Sequence, residues 1–260
     1  MKYSFDNLTF IIPVRIDSII RLENILAVLR LICSLDSYVI VYEANKYKNN
    51  FLKKLLPKND KLIYRYIPDN DSVFYRTHYL NMMTKEVRTR FVAIWDADVI
   101  VAPQQIQQSI TSLSQENADM SFPYNGRFLD LGYTIRTHYI VNHNIKYLLK
   151  YQSYMDCLYG DNFVGGGIIV NKEKYIAAGM ENEKFYGWGP EDLDRVLRWD
   201  NMNYRIHRSD GPMFHLTHPR DLNGHIRSKS QDKICKYNAH ESAGLSPDEI
   251  KSLYKIKNND

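Results

Sequence analysis

The chain has 260 residues, of which 44% are hydrophobic and 25% charged, so it can build one substantial core and wholesale disorder is excluded. Its 34 basic and 30 acidic residues leave a net charge of +4, and the basic residues are scattered; no nucleic-acid footprint is indicated, while nucleotide phosphates or a lipid surface remain suitable partners. Cys33, Cys157 and Cys235 lie far apart, an odd count without metal-site spacing, and read as reduced thiols rather than a disulfide framework or a zinc site.

The first half alternates strand and helix patterns. Leu8-Thr-Phe-Ile-Ile-Pro-Val14 is a short apolar run of the kind that forms a buried strand. Ser18 is placed to cap the next segment, where Leu22, Ile25, Leu26, Leu29 and Ile32 recur at helical spacing. Residues 38–42 predict a second strand, 46–56 a helix ended by Pro57, 61–67 a third strand and 76–89 a helix. Phe91-Val-Ala-Ile-Trp95 predicts a fourth strand, and Pro103 suits the first turn of the helix after it. Such β-α repetition predicts an α/β fold, a mostly parallel sheet with helices on both faces. Ligands of these sheets bind beyond the carboxyl ends of the strands, where Asp96 and Asp98 sit.

The second half is less regular. Residues 119–124 predict a strand and 144–155 a helix. Gly165-Gly-Gly leads as a turn into a strand ending at Val170, and Asn171 caps a short helix that stops at Gly179. Residues 190–199 predict a helix with Pro190 in its first turn, 204–207 and 213–216 short strands, and Ser246 to Glu249 a helix start. With no repeat or linker, the expectation is a single domain over 1–260. Its approximate parts are a first lobe at 1–125, a second lobe at 126–225 and a C-terminal tail at 226–260. No apolar run is long enough for a membrane span, and the N-terminus has no signal-peptide core. The expected location is therefore cytoplasmic, with peripheral association at the inner face of the membrane left open.

Three D-x-D pairs occur, Asp69/Asp71, Asp96/Asp98 and Asp192/Asp194, and only the middle one closes a buried apolar strand. Carboxylates at that depth are costly unless a cation or hydrogen bonds hold them. An oxygen-rich site suits Mg²⁺ or Mn²⁺, which can bridge carboxylates to a diphosphate; the alternative is a pair that caps the turn before Pro103. His215-Leu-Thr-His218 can complete the site, and an imidazole favours Mn²⁺ over Mg²⁺. On one continuous strand the spacing of three puts the two imidazoles on opposite faces, so His215 is the preferred ligand and His218 the second, unless the strand ends between them. In Gly187-Trp-Gly-Pro-Glu-Asp192 the glycines permit close backbone approach to a ligand and Trp188 can stack on a sugar ring. Glu191 and Asp192 fall in the first turn of a helix, whose dipole keeps a carboxylate ionised and able to take a proton. The alternative there is acidic capping around a core tryptophan.

Taken in order, these segments resemble the β-1,4-galactosyltransferases (glycosyltransferase family seven) and, more loosely, inverting GT-A transferases of bacterial polysaccharide synthesis. Ile11-Ile-Pro-Val-Arg15 is similar to the family's P-F-R strand end, and Tyr38 to Glu43 to its second strand. Phe74 to Asn81 is similar to its F-N-R-x-x-x-x-N segment, and Asp96-Ala-Asp98 to its D-V-D motif. Phe163-Val-Gly-Gly-Gly-Ile through Gly187-Trp-Gly-Pro-Glu-Asp192 resembles its glycine-rich and W-G-W-G-G-E-D stretch, and His215 to His218 lies where it places a later metal ligand. The resemblance runs from about residue 8 to residue 220. It implies a GT-A, Rossmann-like nucleotide-sugar transferase fold in which Pro13, Arg15, Glu43 and Arg76, with Asp96, Gly166, Gly167, Trp188 and Gly189, line the substrate site. Asp98, with Asp96 and one or both of His215 and His218, would hold Mn²⁺, with Mg²⁺ as the alternative. Asp192 would be the general base, with Glu191 beside it.

The resemblance further implies transfer of a hexose, galactose or N-acetylgalactosamine, from a UDP-sugar to a hydroxyl of a glycan or lipid-linked glycan, with inversion. Two departures stand out: Asp17 replaces a basic residue, and Pro190 replaces a glycine. The animal enzymes' membrane anchor and disulfides are missing, which suggests a bacterial, cytoplasmic version. A metal-dependent nucleotidyltransferase and a non-catalytic UDP-sugar-binding protein are the competing readings.

Overall fold

The computed structural model describes residues 3–220 and 223–253. β1 (Leu8–Val14) is buried along its whole length, as a parallel strand covered on both faces must be. Helix α1 (Ile19–Cys33) follows, with Ser18 Oγ accepting from Arg21 N at 3.3 Å in the expected cap. β1 pairs in parallel with β2 (Tyr38–Asn45) on one side and, after α2 (Phe51–Leu55), β3 (Leu62–Pro68) and α3 (Arg76–Glu86), with β4 (Phe91–Trp95) on the other. β3 extends the sheet beyond β2, also in parallel.

Beyond β4 the chain enters a second, smaller sheet at β5 (Val99–Ile100) and turns into α4 (Pro103–Ser114). β6 (Met120–Phe122) belongs to the large sheet and β7 (Phe128–Asp130) to the small one. α5 (Gly132–Asn142), α6 (Ile145–Lys150) and a 3₁₀ turn (Gln152–Tyr154) then lead to β8 (Asp156–Leu158). β9 (Gly167–Asn171) inserts antiparallel between β4 and β6. α7 (Lys172–Ala177), α8 (Glu191–Asn201), β10 (Ile206–Arg208), β11 (Met213–His215), α9 (Lys229–Ala243) and α10 (Pro247–Leu253) complete the order. The large sheet runs β10-β6-β9-β4-β1-β2-β3 and the small one β5-β11-β7-β8. The mixed α/β architecture is the expected one, with β9 as the antiparallel intruder.

Several elements differ from expectation for local reasons. The helix foreseen over 46–56 shrinks to α2, because Asn50 adopts a left-handed conformation (φ 61°) at its start. The helix foreseen over 144–155 breaks after Lys150 into the 3₁₀ turn. α5 has no helical signature: Thr, Ile, Tyr and Val dominate it, and burial of Arg136 and Tyr139 overrides weak propensity. The stretch expected as a tail forms α9, capped by Ser228 Oγ on Gln231 N at 3.1 Å, and α10, capped reciprocally by Ser246 and Glu249. Cys33, Cys157 and Cys235 are all free thiols.

α8 turns charged residues inward. Arg198 is fully buried, with Nε 2.9 Å from Asp194 Oδ2 and Nη2 2.7 Å from Met180 O. Such pairing tolerates burial only while both partners are present. Asp194→Ala should therefore destabilise the protein by about 3–5 kcal/mol, because it strands a buried guanidinium; urea denaturation of the purified variant measures the loss.

Candidate active site

A cavity of about 660 Å³ opens at the carboxyl end of the central strands. One wall is the tip between β4 and β5. Trp95 Nε1 donates to Val99 O at 3.2 Å, and Asp96 N donates to Gly166 O at 2.9 Å, which pins Asp96 and Asp98 in a tight turn.

Asp98 faces β11, which runs antiparallel to β5 with His215 opposite Val99. Leu216 N donates to Asp98 O at 2.8 Å. The strand ends at His215, so the alternation that would separate the two imidazoles stops there. His218 Nε2 lies 3.0 Å from Asp98 Oδ2, and His215 Nε2 lies 4.0 Å from it. Each ring is fixed through its other nitrogen: His215 Nδ1 is 2.7 Å from Asp130 Oδ1, and His218 Nδ1 is 2.8 Å from Pro219 O. Thr217 Oγ1 donates to the same Asp130 oxygen at 2.5 Å. This anchoring aims both Nε2 atoms at one point, the arrangement that metal-binding histidines use.

One carboxylate oxygen and the two imidazole nitrogens lie within 4.8 Å of one another, the one such group found among the described residues. A mixed oxygen and nitrogen donor set fits Mn²⁺ better than Mg²⁺. Burial opposes the charge on Asp98, yet the hydrogen bond from His218 and the charge of His215 outweigh it and hold the carboxyl well below the usual range. Burial likewise disfavours the His218 imidazolium, but Asp98 more than offsets this and its pKa is raised.

Asp96 turns away from this cluster. It accepts from Arg76 Nε at 3.0 Å and Nη2 at 2.6 Å. Burial pushes its pKa up to about 6, against the pull of Arg76 and with the charge of Asp98 adding to the rise. Arg76 opens α3, and its Nη1 reaches across to the second wall, 3.6 Å from Glu191 Oε1 and 3.8 Å from Asp192 Oδ1. Arg76 Nη1 and Glu191 Oε2 are both buried without a hydrogen-bond partner, which leaves donor and acceptor capacity at the cavity wall.

That second wall is the N-terminus of α8. Asp192 Oδ1 accepts from Arg195 Nη2 at 2.7 Å, and the buried Arg195 is itself held by Glu181 at 2.7 and 2.9 Å. A Cβ on Gly165 would stand 2.8 Å from Asp192 Oδ2, so only glycine leaves room for that carboxylate. Gly166 has φ +84°, and a side chain there would strike Met213 and Phe128. Glu191 is buried, and burial followed by the charge of Asp192 pushes its pKa up to about 8.

The remaining expected residues divide. Pro13, Gly166, Trp188 and Gly189 line the cavity. Arg15 lines it too, but its guanidinium is already bonded to Ala44 O, Ser72 O and Asp69 and lies over the Phe74 ring. Glu43 and Gly167 are not on the cavity wall. Glu43 is buried on β2, where it accepts from Tyr64 Oη at 2.7 Å and Asn45 Nδ2 at 3.0 Å; a Cβ on Gly167 would meet the Trp95 ring. Sequence reasoning missed Asp130, Arg195 and α9, which contributes Asp232, Cys235 and Lys236 to the cavity. Arg195 was readable as the i+3 partner of Asp192 on a helix. Asp130, on a strand of three residues, carried no such signal. Gln231 Nε2 donates to Trp188 O at 2.8 Å, so α9 also holds the tryptophan loop.

Solved structures share this fold. The catalytic domain of Drosophila β1,4-galactosyltransferase 7 in complex with xylobiose superposes with a TM-score of 0.57 at 14% identity, over 94% of this chain and 84% of that one. A mutant of the same enzyme, in complex with manganese, UDP-Gal and xylobiose, gives 0.55 at 13%, over 88% and 79%. Glucosyl-3-phosphoglycerate synthase from Mycobacterium tuberculosis, with Mn²⁺, UDP and phosphoglyceric acid, gives 0.56 at 10%, over 92% and 79%. At these identities the likeness establishes the fold, which is GT-A. The family described as the N-terminal domain of galactosyltransferase matches residues 146–221, less than a third of the chain, from α6 past His218. No curated protein matches the sequence.

Two outcomes follow from the geometry. Asp130→Ala frees the His215 ring and should weaken Mn²⁺ binding by about 10- to 100-fold, as loss of a ligand-orienting carboxylate does; calorimetric titration with Mn²⁺ measures it. Glu191 has a folded pKa of about 8, raised from 4.5, so it binds more protons folded than unfolded between those values. Its contribution is full below pH 4.5 and is lost as pH rises through about 8. Urea midpoints at acidic and alkaline pH should converge in Glu191→Gln relative to the parent; parallel pH profiles would remove the neutral carboxyl.

Proposed function

We propose that the protein is an inverting, metal-dependent glycosyltransferase that moves a hexose, galactose or N-acetylgalactosamine, from a UDP-sugar to a hydroxyl of a glycan acceptor. The observation that carries this reading is one cavity with a group able to hold a cation on one wall and a positioned carboxylate on the other, with Arg76 linking Asp192 to Asp96, two residues before Asp98. The match to a galactosyltransferase domain and the structural likeness to enzymes solved with Mn²⁺ and UDP or UDP-Gal support it.

Asp98, His215 and His218 would hold Mn²⁺, which supplies positive charge against the departing diphosphate. Arg76 Nη1, buried and without a hydrogen-bond partner, is a further donor for donor-sugar or phosphate oxygens. Asp192 is the general base. Arg195 occupies its Oδ1, which leaves Oδ2 for the proton of the acceptor hydroxyl. Attack by that hydroxyl from the face opposite the leaving diphosphate inverts the anomeric centre. Trp188, 39% exposed at the cavity, offers a ring face for a sugar, and Glu191 positions it. The product belongs to a surface polysaccharide or a lipid-linked oligosaccharide made in a bacterial cytoplasm.

Asp192→Asn keeps shape and removes basicity. It should lower transfer by at least about a hundredfold while UDP-sugar binding stays near that of the parent. The assay supplies UDP-galactose or UDP-N-acetylgalactosamine, Mn²⁺ and a panel of glycan acceptors, and monitors UDP release. Near-normal turnover in the variant removes Asp192 as base, and release of pyrophosphate in place of UDP assigns the protein to nucleotidyl transfer.

A further inference from the structure

A second face of the molecule carries chemistry that the cavity does not use. Between Asp130 and Asp156 the chain has no aspartate or glutamate, yet it holds five of the protein's 20 tyrosines. This stretch leaves the small sheet at β7, forms α5, α6 and the 3₁₀ turn, and returns as β8. Arg136, Tyr139 and Leu148 point inward. The other side exposes Tyr133 (53%), Val141 (71%) and Tyr154 (78%), together with Lys146 and Lys150.

The rings form a ladder across the two helices. His138 stacks on Tyr147 at 3.8 Å, Tyr147 meets Tyr151 at 4.5 Å, and Tyr151 meets Tyr154 at 6.1 Å. Lys150 Nζ lies 5.1 Å from the centre of the Tyr151 ring. Within this stretch Arg136 meets Glu23 at 2.8 Å. Among the described residues Lys146, Lys150 and the neighbouring exposed Arg30 of α1 have no carboxylate partner.

Cations without a carboxylate partner beside exposed tyrosines and an apolar valine, on a stretch that has no carboxylate between Asp130 and Asp156, match the headgroup region of an anionic bilayer. A purely electrostatic partner would not account for the exposed rings and valine, and an apolar partner would leave the lysines unmet. We propose that the α5–α6 face docks the protein onto an anionic lipid surface.

The face is rigidly tied to the metal-binding strand. Arg136 Nε donates to Asn24 Oδ1 at 2.8 Å, and Asn24 Nδ2 donates to Leu216 O at 2.7 Å, next to His215. A docked molecule therefore holds its cavity at a fixed attitude to the bilayer, where a lipid-linked acceptor can enter. That consequence rests on the glycosyl-transfer reading; the docking itself does not.

Sedimentation of the full chain with vesicles tests it, without donor or metal. The protein should bind vesicles of phosphatidylcholine mixed with phosphatidylglycerol, bind pure phosphatidylcholine far less, and release with added NaCl. Lys146→Ala with Lys150→Ala should lower the partition roughly 30-fold, since each lysine near an anionic surface contributes about 1 kcal/mol. Val141→Ser with Tyr154→Ser should weaken the binding that persists at high salt. UDP release with a water-soluble acceptor should be unchanged in both variants, since none of these residues lines the cavity. No binding, equal binding to neutral and anionic vesicles, or an unaltered partition in the lysine variant overturns the proposal. A dimer in sedimentation velocity that the same substitutions break assigns the face to a second copy and also overturns it.

Discussion

The site depends on one guanidinium. Arg76 joins Asp96 at the end of the central strand to Glu191 and Asp192 at the start of α8. Without a cation between them, three carboxylates would meet in a low-dielectric wall, where like charges repel strongly and desolvation is already costly. Arg76 offsets part of that repulsion. Burial first, and the neighbouring carboxylates after it, push the pKa of Asp96 up to about 6 and that of Glu191 up to about 8. Asp192, held by Arg195, and the buried Glu191 thus sit side by side in different surroundings.

Around this centre a buried ionic layer sets positions. Glu181 grips Arg195, which grips Asp192; Asp194 grips Arg198, which reaches the carbonyls of Ala178 and Met180. On the opposite wall Asp130 does the same for His215. Each such pair is marginal as a source of stability, because desolvation consumes most of the Coulombic gain. Their value lies in direction, since a side chain held at two points has few alternative rotamers. α9 adds a third wall and fastens the Trp188 loop through Gln231.

The small sheet connects this machinery to the molecule's surface. β7 carries Asp130 to the Asp98, His215 and His218 group, and the same strand launches the acid-free α5–α6 segment. The candidate site and the tyrosine-lysine face thus share one short strand and one buried hydrogen-bond relay through Asn24.

Much of this was legible in the residues. The apolar runs at 8–14 and 91–95, the caps at Ser18 and Asn171, and the acidic start of α8 are local signals, and they appear where expected. Local signals carried the choice of Asp98 and Asp192 because strand ends and helix first turns dictate what can sit there. They could not decide between His215 and His218, since that depended on where β11 stopped. They misplaced Glu43, whose carboxylate is satisfied by Tyr64, a neighbour on the adjacent strand. They also gave no hint of α9 as a cavity wall, because its helical face becomes meaningful only against α8 and the Trp188 loop. The sequence by itself thus determined the α/β alternation and the chemical groups on offer, through short-range periodicity and capping. Tertiary structure alone decided which groups converge, because convergence depends on register, strand length and burial, which pair residues a hundred positions apart, as Asn81 does with Glu181.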